Sequence, residues 1–143
     1  MRVVLDTNVW LSGIPRLDEQ NSPPRKLIAA WRDGAFDLVI SEHILEEITR
    51  NLQKPYFKAV LGERDVSPII DGIGRYADVV DVLEGQEVFG LATHPEDGYV
   101  LATATAGRAD FLVTGDKQLR NIGSIGATKI VTPSQMLHYL ETG

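Results

Sequence analysis

The chain contains no cysteine, which removes disulfides, thiolate nucleophiles and every zinc site built on sulfur. Histidine is nearly as scarce. His43, His94 and His138 lie in separate segments without the short spacing of a metal-binding pair, so they read as structural or solvent-facing. Positive charge is also short: 14 Lys and Arg against 20 Asp and Glu give a net charge of −6 and a pI of about 5.0. That balance lacks the basic footprint of a protein that grips nucleic acid electrostatically. It leaves room for an enzyme whose metal ions meet the phosphates. Long hydrophobic runs are missing too. Nothing approaches the ~20 apolar residues that span a bilayer, and no basic segment followed by an apolar one opens the chain. No membrane association and a cytoplasmic location are the expectations.

What remains is an ordinary globular composition, with 43% hydrophobic and 24% charged residues in a chain of 143. A chain of this length buries a core of its own, so a single domain over residues 1–143 is expected. Short β-rich runs alternate with helical patterns. "RVVLD" (2–6), "DLVI" (37–40), "DVVDV" (78–82), "DFLV" (110–113) and "ATKIV" (127–131) read as strands. Several are almost continuously apolar, as strands buried on both faces of a parallel sheet are.

The helices between them are well punctuated. "SPPRKLIAAWRDG" offers Ser22 as N-cap, Pro23 at the first helical position and Gly34 as a stop. "SEHILEEITRNL" starts on Ser41 with Ile44, Leu45, Ile48 and Leu52 as its stripe. Residues 56–77 read as one or two helices with Ile69, Ile70, Ile73 and Tyr76 on the later apolar face. "HPEDGYVLATATAG" begins at Pro95 and stops at Gly107, "TPSQMLHYL" closes the chain, and residues 83–94 form the longest irregular stretch. The pattern predicts an α/β class: a three-layer α/β/α domain on a five-stranded parallel sheet with right-handed crossovers. Sites in such sheets form beyond the carboxyl ends of strands, where the strand order reverses.

Two acids stand at such ends. Asp6 closes the first strand, and Asp116 follows "DFLV" in the sequence "TGD". Either could simply cap the next helix; their recurrence at two strand ends is what points to a site. Helix 42–53 offers Glu46 and Glu47. At 100° per residue, the apolar stripe lies about 145° from Glu46 and about 115° from Glu47. Glu46 also precedes Arg50 by four residues, the favourable order for an exposed ion pair. Glu46 is therefore the solvated acid and Glu47 the one bordering the buried face. Asp97 continues the buried stripe of its helix, within about 60° of Val100, Leu101 and Ala104. An acid in a first helical turn is also favoured by the helix dipole alone.

Carboxylates gathered together repel one another and titrate higher unless a cation sits among them. Hard oxygen ligands without Cys suit Mg²⁺ or Mn²⁺, which accept phosphate oxygens and activate water for in-line displacement. This is nuclease chemistry.

With "VVLDTNVW", "SEHILEEI" leading to "NLQKPYF", and "HPEDGYVLATATAGRADFLVTGD" in that order, the chain resembles a PIN-domain protein of the small prokaryotic, VapC-like kind that serves as the toxin of toxin–antitoxin pairs. The resemblance covers nearly the whole chain. It implies a sheet ordered 3-2-1-4-5 and an acidic, metal-binding catalytic site of Asp6, Glu47, Asp97 and Asp116, with Asn8, Ser41 and Thr114 in support. It further implies cleavage of single-stranded RNA with Mg²⁺ or Mn²⁺, a homodimer, and a separate protein antitoxin. Many relatives carry another acid shortly after "TGD", where this chain has Gln118, Leu119 and Arg120. One tightly held ion is accordingly expected. Lys117 and Arg120 are candidates for substrate phosphate or simply solvated charges.

Three rival readings differ in kind. A phospho-receiver domain needs paired acids after its first strand and a phosphoacceptor Asp after its third, whereas "DTN" supplies one acid and "LEGQEV" follows the third strand. A haloacid-type phosphohydrolase needs a second Asp where Asn8 stands. A catalytically silent interaction module would keep the fold and work through its partner.

Overall fold

The computed structural model describes residues 1–16, 21–84 and 86–143. Strand β1 (Arg2–Leu5) leads into α1 (Thr7–Gly13) and α2 (Pro23–Arg32), and β2 (Asp37–Ser41) into α3 (Glu42–Leu52), α4 (Pro55–Leu61) and α5 (Ser67–Tyr76). Then come β3 (Asp78–Val80), α6 (Pro95–Ala106), β4 (Phe111–Val113), α7 (Lys117–Ile122), β5 (Ser124–Ile125), β6 (Thr128–Val131) and α8 (Pro133–Thr142). The stretch 56–77 thus divides into two helices. A 3₁₀ turn, Glu87–Leu91, occupies part of the segment expected to be irregular, in which residue 85 lies outside the described residues.

The sheet is six-stranded among the described residues, in the order β3-β2-β1-β4-β6-β5, where five strands were expected. The first five of these run parallel, and the predicted 3-2-1-4-5 order survives with β6 in the fifth place. The additional strand β5 is antiparallel to β6 and reaches it through Gly126 at φ 56°. Two residues are too few to show a strand period. Its only trace in the sequence is Gly126, which forms the turn to β6 with Ala127.

The central strands carry the core: Val3, Val4, Leu5, Val39, Ile40, Leu112 and Val113 are wholly shielded from solvent. Helices cover both faces, so the strands have no polar face to alternate with, and the continuous apolar runs follow. On one side Trp10 of α1 meets Trp31 of α2 edge to face, with ring centroids 5.9 Å apart. Helix α6 buries Val100, Leu101, Ala102, Thr103 and Ala104. Gly107, just past its end, has an ordinary φ of −84° and is there for space. A Cβ at that position would collide with Cγ1 of Val39 in the central sheet. Tyr76 departs from the expected apolar face: as the last residue of α5, beside edge strand β3, it stays 75% exposed.

Hydrogen bonding continues past the strand ends and fixes the site's frame. The Asp6 N–H donates to the Val113 carbonyl at 2.9 Å, and the Thr114 N–H to the Val131 carbonyl at 2.9 Å. Residue 6 and the "TGD" segment therefore stand side by side at the carboxyl edge. There β1 lies between β2 and β4, and the order of strands reverses.

Candidate active site

Asp6 is buried, 5% exposed, at the point where β1 gives way to α1. Its Oδ1 accepts the Thr7 N–H at 2.7 Å and so caps α1, and its Oδ2 accepts the Thr114 hydroxyl at 2.7 Å. The same Thr114 Oγ1 accepts the Asp116 N–H at 3.0 Å. One buried hydroxyl thereby ties together the acids of two neighbouring strand ends. Asp116 caps α7 by accepting from Gln118 and Leu119 N–H groups at 2.7 and 3.3 Å. Capping and convergence are thus both true of these acids, since a strand-to-helix turn places the cap at the sheet's edge.

Glu47 points inward, 7% exposed, while Glu46 is exposed. The Thr7 hydroxyl donates to Glu47 Oε2 at 2.7 Å, and His43 Nε2 lies 3.0 Å from Oε1. His43 in turn stacks on Tyr99, with centroids 3.8 Å apart and planes 13° off parallel. Asp97 stands partly exposed in the first turn of α6. The expected Glu46–Arg50 ion pair is not formed among the described residues. Arg50 is exposed and lines both the acidic cleft and a groove that it shares with Glu46.

That cleft, of about 350 Å³, is bounded by Asp6, Glu47 and Asp97, with Asn8, Arg50 and Lys54 also on its walls. Asp116 does not line it but stands near enough for its charge to act on Asp97. Ser41 is buried behind the cleft, accepting from the Ile44 N–H at 3.4 Å and from the Thr103 hydroxyl at 2.8 Å. It caps α3 and joins it to α6. Lys117 and Arg120 are exposed on α7 and do not line the cleft.

Burial pushes the Asp6 carboxyl up from 3.8 to about 6. The hydrogen bonds from Thr114 and Thr7 oppose that rise, and the charges of Asp97 and Glu47 add to it. The Asp97 carboxyl is also raised, first by burial and then by Asp116, against the opposing pull of His94. No Lys or Arg forms an ion pair with any of the four acids among the described residues.

The donor chemistry fits a hard divalent cation, because carboxylate oxygens predominate and sulfur is absent. The spacing is looser. Among the described residues, no group of three or more Asp, Glu or His is gathered closely enough to hold an ion by itself. Such an open arrangement suits a cation that keeps several of its waters.

Thr7, His43, Arg50 and Lys54 are members of the site that the sequence reading passed over. For His43 the signal was available: it lies one helical turn before Glu47, on the same face.

An α/β/α fold with acids converging where a parallel sheet reverses its order defines a class of proteins that work at the carboxyl edge of the sheet. Within that class, the PIN domain model matches residues 2–118, a span containing all four acids, and the chain belongs to the PIN domain family. No match emerges among the curated proteins. Among solved structures, the crystal structure of PAE2754 from Pyrobaculum aerophilum is similar, with a TM-score of 0.62 at 18% identity, covering 100% of this chain and 91% of that one. The similarity at this identity is one of fold. The PIN domain is generally a nuclease fold that uses divalent metal ions. Membership in it removes the phospho-receiver and phosphohydrolase readings. No helix among the described residues is long and apolar enough to cross a membrane.

Proposed function

We propose that this chain is a metal-dependent endoribonuclease that cleaves phosphodiester bonds in single-stranded RNA, acting as the toxin of a toxin–antitoxin pair. The observation that carries the nuclease reading is the convergence of Asp6, Glu47 and Asp97 on one cleft, with Asp116 beside it and no Lys or Arg paired to any of them among the described residues. Asp6, Glu47, Asp97 and Asp116 would hold Mg²⁺ or Mn²⁺, directly or through water. Bound there, the cation supplies Lewis acidity to the attacking water and to the phosphate oxygens.

The chain's own residues do the positioning. Thr7 and Thr114 fix both oxygens of Asp6, while Thr7 and His43 fix those of Glu47. Neither carboxylate is free to rotate away on binding. Arg50 and Lys54 place positive charge on the cleft wall, where the other charged side chains are all acids. A protein antitoxin, a homodimeric assembly and a cytoplasmic setting belong to the same reading.

One observation favours a second reading, a catalytically silent module: the acids do not form a closed three-ligand group among the described residues. Cleavage separates the two. A mixed-sequence pool of single-stranded RNA should be cut in Mn²⁺ or Mg²⁺, spared in EDTA, and cut again when the metal is restored. Cutting that persists in EDTA, or an intact pool under every metal condition, contradicts the proposal.

A further inference from the structure

A second cavity, of about 1060 Å³, adjoins the acidic cleft, and Asn8, Leu11 and Asn51 line both. Its far wall belongs to α4. There Tyr56 is 67% exposed, and its ring meets that of Phe57 edge to face, with centroids 5.0 Å apart and planes at 85°. The edge-to-face contact braces the tyrosine from one side and leaves it a large solvent-facing aromatic surface. Asn51 is anchored, its Nδ2 donating to the Glu47 carbonyl at 2.7 Å, so the wall between the cavities continues the acid's own helix.

Charge runs the same way. In a chain of net charge −6, Arg50 and Lys54 line the acidic cleft and Arg64 the neighbouring cavity. Arg64 is tethered there by the Pro15 and Leu61 carbonyls at 2.9 and 3.1 Å. An aromatic ring, side-chain amides and cationic groups beside a phosphodiester cleft are what a single-stranded nucleotide requires. Its base stacks, its edges hydrogen-bond, and its backbone follows the positive charge.

We propose that this cavity is a nucleobase subsite, in which a nucleotide flanking the phosphodiester held in the acidic cleft stacks on Tyr56. The inference deepens the nuclease reading and rests on it for the position of the neighbouring phosphate. Stacking tolerates any base, so the subsite adds affinity for single strands, and the amides of Asn8 and Asn51 bias the choice of base.

The test pairs binding with turnover. A fluorescently labelled, mixed-sequence RNA octamer is titrated in EDTA by anisotropy, and the same octamer is used for steady-state cleavage in Mn²⁺. Tyr56→Ala should weaken binding and raise KM about tenfold or more, with kcat changed little. Tyr56→Trp should retain parental affinity. An octamer of abasic ribose-phosphate units should bind parent and Tyr56→Ala alike.

Equal octamer affinity in parent and Tyr56→Ala, or no binding by the parent, overturns the subsite. So does a change of oligomeric state on Tyr56→Ala by sedimentation, since a second copy would then occupy this face. The two proposals fail separately. Tyr56-dependent binding without cleavage sinks the nuclease and keeps the subsite, whereas metal-dependent cleavage with an unchanged KM in Tyr56→Ala does the reverse.

Discussion

Asp6→Asn lowers the rate of RNA cleavage on the order of 10³-fold or more, while leaving the metal-free protein at least as stable at pH 7. The two halves of this expected result have different causes. Activity falls because an amide carries no negative charge for a divalent cation and withdraws one oxygen from it. Stability is kept because Asn caps a helix about as well as Asp. The Thr114 hydroxyl, donor to the carboxylate in the parent, must turn to meet the amide, which offsets part of the gain by about 1 kcal/mol.

The gain itself comes from ionisation. With the Asp6 carboxyl raised from 3.8 to about 6, the folded protein binds more protons than the unfolded chain between those values. Stability from this group is therefore present in full below about pH 4 and is lost as the pH rises through 6, a loss on the order of 3 kcal/mol. The amide of the variant has nothing to ionise. Urea melts of parent and variant in EDTA, from pH 4 to 8, should give curves that draw apart in the variant's favour as the pH rises. An Asp6→Asn protein that grows weaker relative to the parent over that range would show that the carboxylate serves the fold.

The second large effect concerns metal. Mn²⁺ at about a hundred times its dissociation constant should stabilise the parent by about 2.7 kcal/mol, which for a chain of this size raises Tm by about 8 °C. Asp97→Asn should abolish that rise and yet melt no lower than the parent in EDTA. In the metal-free protein Asp97 faces the charge of Asp116 and Glu47, and removing its own charge relieves the repulsion. Glu46→Gln is the control: the exposed neighbour of Glu47 should keep the full metal response. A metal-free Asp97→Asn protein that melts several degrees early would assign Asp97 to the helix dipole alone.

Much of this arrangement could be read from the chain, and the parts that could not share a cause. The strands 2–5, 37–41 and 111–113 declare themselves because burial on both faces favours a short run of consecutive apolar residues. Glu47 could be told from Glu46 because a helix converts sequence spacing into direction, and the burial of the two side chains follows that direction. Strand β5 was invisible, since two residues have no period and their pairing is set by a turn.

The support of the acids was harder still. Thr7, sandwiched between Asp6 and Asn8 in the sequence, reaches Glu47 forty residues away, and Ser41 was found to hold helices together rather than touch an acid. Such links depend on how helices cross the sheet edge, which periodicity does not encode. Arg50 misled for a related reason. The i, i+4 rule supplies only the spacing, and two exposed side chains gain too little from closing such a pair for the spacing to decide it.

Anomalous scattering from a crystal soaked in Mn²⁺ tests most directly whether Asp6, Glu47, Asp97 and Asp116 share a divalent cation. The expected result is a manganese peak in the cleft at the carboxyl edge, with Asp6 and at least one other of these acids bound to the ion or to its waters. A crystal that takes up manganese only elsewhere, with Asp6 still bonded to Thr7 and Thr114 and its neighbours untouched, would contradict it.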